Sequence, residues 1–308
     1  MIELDTLYLR FADSIAIDED LILKGIKEAK ELKTKNVKFF GNSTKNKDTF
    51  KRLVNEITKL NMAVEIDINI SDIDLDLVDF IKQNADLVKF GLNITPPFNL
   101  NDININCEGL LVNVNVNSNN IDFIPDIIDS YIYKHRFRRV KLYFNLYNLE
   151  HNDYERLVRY ILKHYLEYGD KLYTAIPYIF LQEHNLKLAR RVCNYHKVVG
   201  LFTDGVVTAC GVQRSVSDEL YNLKHNSLLQ IINSHEKITI LHKMKPSDLK
   251  GVCKICVFKN YCGNICPAAV YNYSGSFNNS YRDCQLLYDK GLFPNEYLTV
   301  WVYDTFRN

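Results

Sequence analysis

Along the first half of the chain the apolar positions follow two rhythms in turn. Short runs rich in Val, Ile, Leu and Phe predict strands over Thr6–Phe11, Asn36–Phe40, Met62–Ile68, Leu87–Leu92, Gly109–Val116 and Arg139–Asn145. Between them apolar residues recur with the helical period over Glu19–Leu32, Asp48–Leu60, Leu75–Asn84, Ile121–Lys134 and Asp153–Tyr168. Asp20 and Asn152 are placed to cap helix starts, and Asn61 stands where the second helix should stop. Strand–helix alternation with short links implies a parallel sheet built by right-handed crossovers. Six such units predict an α/β fold, an open, partial (β/α)6 TIM-like barrel.

The pattern changes near Leu181. Lys197–Phe202 and Val206–Cys210 flank Asp204-Gly205, the signature of a β-hairpin whose glycine supplies a positive φ. A helix is expected near Asp218–His235, then a loop-rich segment from Lys245 to Pro294, then a β-like run, Tyr297–Tyr303, that holds the only tryptophan, Trp301. The chain therefore divides into a barrel (residues 1–180), a small Cys-rich domain (181–294) and a C-terminal tail (295–308).

Composition changes this picture in one respect. Charge is balanced, 38 basic against 37 acidic side chains, which gives no reason to expect nucleic acid or an anionic membrane as partner. No apolar run approaches bilayer-spanning length, and the acidic start Met1-Ile2-Glu3-Leu4-Asp5 lacks the basic region of a signal peptide. A cytoplasmic location follows as the expectation, and there thiols stay reduced and clustered cysteines read as metal ligands. Seven of the eight cysteines come late: Cys193, eleven residues, Gly205, four residues, Cys210; then C-x2-C-x5-C-x3-C at Cys253, Cys256, Cys262 and Cys266; then Cys284. Four thiolates close a tetrahedral zinc site or a [4Fe–4S] cube, and spacing alone does not separate the two.

The complete order resembles the SPASM domain, found at the C-terminus of many peptide-modifying radical S-adenosylmethionine (radical SAM) enzymes, and every cysteine of that signature is present. The resemblance implies two auxiliary [4Fe–4S] clusters. Cys253, Cys256, Cys262 and Cys284 would close one; Cys193, Cys210 and Cys266 would hold the other. The fourth ligand of the latter often lies upstream in the family, where this chain offers Glu183, His184 and Lys187 but no cysteine. The eighth thiol, Cys107, reads as a buried apolar side chain.

A radical SAM barrel carries a C-x3-C-x2-C loop after its first strand, and here that loop is Ala12-Asp13-Ser14-Ile15-Ala16-Ile17-Asp18, without a thiol. The Gly-Gly-Glu-Pro-like motif expected after the second strand is represented by Gly41-Asn42-Ser43-Thr44, with the acidic residue gone. Both departures fall where such an enzyme handles SAM. The chain thus looks like a degenerate, pseudo-radical-SAM member, with no catalytic residues, no SAM, and a precursor peptide or an active radical SAM maturase as partner. Two alternatives stay open: an iron–sulfur electron carrier, and a zinc-stapled scaffold. Asp13, Asp18, Glu19 and Asp20 read as a solvated acidic loop biasing a helix start. The basic run His135, Arg136, Arg138 and Arg139 reads as a solvated turn that an acidic leader peptide would suit.

Overall fold

The computed structural model describes residues 3–84, 86, 88–95, 110–144, 152, 156, 160, 165–168, 171–174, 194–211, 214–262 and 266–299. Its centre is one sheet of nine strands: β1 (Thr6–Phe11), β2 (Asn36–Gly41), β3 (Ala63–Asn69), β4 (Val88–Ile94), β5 (Leu111–Val116), β6 (Arg139–Phe144), β7 (Leu172–Thr174), β8 (Val198–Phe202) and β9 (Val207–Thr208). They lie in the order β7-β6-β5-β4-β3-β2-β1-β8-β9, parallel from β7 to β8, with β9 antiparallel at the edge. The six expected strands are present, and the sheet extends beyond them at both ends. β7 follows β6, and the expected hairpin joins the barrel sheet, because β8 pairs with β1 from Thr6↔Val198 to Arg10↔Phe202.

Alternation sorts each strand into two faces. Leu7, Leu9, Val37, Phe39, Val64 and Ile66 are buried beneath helices α1 (Glu19–Glu31), α2 (Lys47–Lys59) and α3 (Leu75–Gln83). Helix α1 presents Ile22, Gly25, Ile26 and Ala29 at helical spacing, and Gly25 lets it sit close, since a Cβ there would stand 2.5 Å from Leu201. Its N-cap is Asp18, which accepts from the Leu21 N–H at 3.2 Å; the expected cap, Asp20, lies in the first turn instead. Asn61 ends α2 as expected, in a left-handed conformation with φ 54°.

Two expected helices differ. Ile121–Lys134 is a 3-10 turn, Ile121–Phe123, then α4 (Ile124–Asp129) with Pro125 in its first turn, then a π turn, Ser130–Lys134, that keeps both Tyr131 and Ile132 buried. Over Asp218–His235 the chain breaks into a 3-10 turn, Val216–Leu220, and α5 (Leu228–Ser234). The break is held by β9: Val207 N–H donates to the Tyr221 carbonyl, Leu223 N–H to that of Gly205, and Asn222 Nδ2 to that of Asp204. Helix α6 (Glu236–Lys243) follows directly. The helix expected over Asp153–Tyr168 lies mostly outside the described residues, which include Arg156, Tyr160 and its last turn, Tyr165–Tyr168, all of them helical. Among the described residues no helix is long and apolar enough to cross a membrane.

Candidate functional site

The segment expected to be loop-rich contains four short helices: α7 (Gly251–Ile255), α8 (Lys259–Cys262), α9 (Pro267–Ser274) and α10 (Arg282–Asp289). Their arrangement gathers cysteines. Gly251 enters α7 with φ +54°, and a Cβ there would meet Gln285 Oε1 at 2.3 Å and Ser280 Oγ at 2.5 Å. Those two groups dock α7 on α10: Gln285 Oε1 accepts from Val252 N–H, and Ser280 Oγ accepts from Cys253 N–H while donating to the Lys250 carbonyl. Cys253 rides on α7, Cys256 ends it, Cys262 closes α8 and Cys284 lies on α10.

These four thiols feel one another electrostatically. Burial, reinforced by Cys253 and Cys262, pushes Cys256 up to about 11. Burial also raises Cys284 well above the ordinary thiol range, with Cys253, Cys262 and Cys256 adding to it. Cys253 is raised by burial and by Cys262. All four are free of disulfides, and Val252, Leu287, Phe293 and Leu298 pack with Cys256 and Cys284 in a small core. The end of the chain closes over it: Leu298 bridges Cys256 antiparallel, Val257 N–H donates to the Tyr297 carbonyl, and Thr299 Oγ1 donates to that of Ile255. Positions 300–303 of the expected β-run, Trp301 among them, lie outside the described residues. Thiols crowded and buried in this way are poor anions on their own and become good ligands only to a cationic centre that displaces their protons. The donor set therefore fits a cluster bound by four thiolates. Among the described residues no three His, Cys, Asp or Glu converge closely enough to hold a single metal ion.

Of the other expected ligand set, Cys210 is buried just beyond β9 and Cys266 is the N-cap residue of α9. Cys193 lies outside the described residues, as do Glu183, His184, Lys187 and Cys107.

At the strand ends the geometry is polar. Gly41, at the end of β2, has φ +83°, and a Cβ there would lie 1.8 Å from the Phe11 carbonyl oxygen, so glycine is required by the approach of β1 to β2. Asn42 donates to both carboxylate oxygens of Asp13, at 2.9 and 2.8 Å, and Lys45 pairs with Asp13 at 2.6 Å. The Asn42 hydrogen bonds, then Lys45, hold the Asp13 carboxyl below the usual range. Glu19 pairs with Arg52 and accepts from Thr49. Asp13, Asp18 and Glu19 of this loop are thus engaged in the fold.

A feature the sequence reading missed covers the inner face of the sheet. Asn69 donates to Asn42, Asn93 to Asn69, and Asn113 to both Asn93 and Asp67, so hydrogen bonds cross from the β1 loop to β5. Asn113 reaches Asp67 over β4 because Gly91 lies between them; a Cβ on Gly91 would stand 2.4 Å from Asp67 Oδ1. Lys38 pairs with Glu65 and, at 3.5 Å, with Asp67. Although burial works against its charge, Asp67 and Glu65 hold Lys38 above the ordinary lysine range. Burial, with Lys38 and Arg139 nearby, brings Lys141 down to about 8. The visible signal was the period-2 pattern of charges and amides in Glu65, Asp67, Asn69, Asn113 and Asn115.

No protein-family model matches the chain, and no curated protein matches it in sequence. Solved structures do match in fold. Streptococcus suis SuiB bound to precursor peptide SuiA superposes with a TM-score of 0.66 at 12% identity, over 91% of this chain and 75% of that one. SuiB bound to S-adenosylmethionine gives 0.64 at 12% identity, over 90% and 76%. The anSMEcpe structure with bound AdoMet gives 0.58 at 14% identity, over 91% and 94%. At these identities the likeness is one of fold: a mixed α/β architecture with a mostly parallel sheet.

Proposed function

We propose that this chain is a non-catalytic relative of the radical SAM/SPASM enzymes. It holds auxiliary [4Fe–4S] clusters on its C-terminal cysteines and assists the modification of a ribosomally made precursor peptide by a partner radical SAM enzyme. One contrast carries the reading. Cys256 and Cys284 are buried, Cys253 and Cys262 are half-buried, and the four act on one another electrostatically, whereas the Ala12–Asp18 loop offers no thiol and commits Asp13 to Asn42 and Lys45. Three thiolates on that loop would be needed to hold a SAM-binding cluster. A peptide partner is supported by the similar fold of SuiB, whose structure holds a precursor peptide. Cys193, Cys210 and Cys266 would hold the second cluster, and the chain works in the cytoplasm, away from nucleic acid and membrane.

The test is metal and sulfide analysis of protein purified without oxygen, followed by incubation with SAM and a strong reductant. About eight iron and eight sulfide per chain are expected for two cubes, with no 5′-deoxyadenosine formed. Replacing Cys253, Cys256, Cys262 and Cys284 with alanine should remove about half of the iron, since one of two cubes is lost. Zinc without sulfide would overturn the cluster assignment, and formation of 5′-deoxyadenosine would overturn the non-catalytic one.

A further inference from the structure

The segment that carries most of the thiols has charge of one sign. From Leu249 to Tyr281 the sequence holds three lysines, Lys250, Lys254 and Lys259, and no Asp or Glu. Lys250 is the N-cap residue of α7, and Lys254 follows one helical turn later. Lys259 begins α8, and its ammonium donates to the Lys254 carbonyl at 3.0 Å, which gathers the three into one patch. Lys250 and Lys254 are exposed, and among the described residues neither ammonium makes an ion pair or a hydrogen bond. Tyr261, 61% exposed, adds apolar surface at the end of α8. The thiols are close at hand. Lys254 follows Cys253 directly and Tyr261 precedes Cys262. Burial raises the Cys256 thiol while Lys259 pulls the other way, which sets that ammonium near it. Lys259 thus offsets charge on the thiols, whereas Lys250 and Lys254 face water.

We infer that this face docks an acidic protein that carries single electrons, its carboxylates meeting Lys250 and Lys254 and its own cofactor brought up to the cysteine end. The inference rests on the reading of the chain as an iron–sulfur protein and names the partner that would serve it. Charge complementarity selects an acidic surface, since a field of one sign steers and holds its opposite. Size selects a carrier. Two unpaired lysines and one tyrosine on helices of five and four residues make a small patch, and transient redox encounters are the protein contacts that bury the least area. Position agrees, because a protein seated on α7 stands only about the 10 Å width of a helix from Cys253. Lysine suits such a contact, being a hydrated point charge on a flexible stem that attracts without fixing one geometry. Each transfer takes one electron from the reduced carrier and adds one to the cluster held by Cys253, Cys256, Cys262 and Cys284. No bond forms or breaks, and no proton moves.

The experiment uses the full chain, purified without oxygen and with iron and sulfide measured, and follows binding by calorimetry. The probe is flavodoxin, an acidic one-electron carrier, and cytochrome c, a basic one, is its counterpart. Flavodoxin should bind and cytochrome c should not, and the affinity for flavodoxin should fall as salt rises. Replacing two lysines together, Lys250→Gln and Lys254→Gln, should weaken it about tenfold, in line with two exposed charge contacts. The same loss of charge at exposed positions of α1 and α3, Lys27→Gln with Lys82→Gln, should leave it unchanged. Mixing reduced flavodoxin with the chain should bleach the iron–sulfur absorbance, more slowly at high salt and in the Lys250→Gln, Lys254→Gln protein. Full affinity in that protein, or an equal loss in the barrel variant, overturns the inference and leaves the cluster reading standing. So does binding without bleaching at full iron and sulfide content. Displacement of flavodoxin by an equal concentration of a Glu-rich peptide overturns it too, by marking a peptide site. Zinc in place of iron and sulfide overturns the proposed function and this inference together, whatever the lysine variants do.

Discussion

Single residues show where the backbone, and not a side chain's chemistry, dictates the amino acid. The requirement for glycine at position 41 is steric: the Phe11 carbonyl occupies the space of a side chain, and φ is +83°. Gly275 also has a positive φ, +71°, but faces open space. Gly41→Ala should therefore destabilise the fold by about 2–4 kcal/mol, combining a backbone clash with an unfavourable φ. Gly275→Ala should cost only about 1 kcal/mol, the conformational part alone. Urea unfolding of both variants checks the difference, and equal midpoints would remove the steric explanation. By contrast Asp13 and Lys45 are both more than half exposed, so their pair orders the loop without adding much stability.

At the scale of elements, the α5–α6 junction contains a proton-sensitive contact. His235 is 2% exposed, stacked on Tyr221 with centroids 3.9 Å apart, and its Nε2 lies 3.3 Å from Asp218 Oδ1. Burial, aided by Lys237 and opposed by Asp218, lowers its pKa from 6.5 to about 4. The unfolded chain takes up this proton near pH 6.5 and the folded chain only near 4. Between those values the unfolded state binds more protons, so stability is full above about pH 6.5 and declines as pH falls toward 4. The Asp218 carboxyl is itself lowered, so its own contribution is lost only at more acid pH. His235→Phe keeps the stacked ring and should flatten the stability profile between these limits, as read by thermal melts across pH. An unchanged slope would assign the acid sensitivity elsewhere.

The same scale shows what was legible in the sequence. Strands β1 to β6 could be placed because Val, Ile, Leu and Phe recur in short covered runs, and α1 to α3 because their apolar stripes repeat over about two and a half turns or more. β7 is three residues long and too short to show alternation. The break between Leu220 and Leu228 is set by β9 and by Asn222, a long-range contact that no local periodicity reports. The resemblance proposes the four cysteines as one group, but the helices among which they lie, four to eight residues each, are below the length at which a period can be read. The inner-face network was visible only as alternate polar residues; that Lys38, Asp67 and Asn113 meet required the strand order and the bare floor at Gly91.

For the whole molecule, the two ends of the chain depend on different forces. The barrel's main core joins the sheet's outer face to α1, α2 and α3 through a continuous apolar cluster. Among the described residues the buried cluster around the cysteines is six residues, Val252, Cys256, Cys284, Leu287, Phe293 and Leu298, two of them thiols, while α9 and the turn after it pack on the barrel core through Tyr271 and Phe277. So small a cluster does not offset the ordering of α7, α8 and α10 unaided. Ligation would supply the difference, because binding at a site that the unfolded chain lacks is folding free energy. Stripping iron with chelator and oxidant should therefore expose residues 251–299 to protease while β1 to β6 stay protected from hydrogen exchange. Protein carrying Cys256→Ala and Cys284→Ala should behave like the stripped form even when iron is supplied. Mass spectrometry of the fragments reads both outcomes. Loss of protection in the strands at the same rate as in the cysteine segment would show one cooperative unit, and with it that the barrel and the cluster-binding end cannot be considered separately.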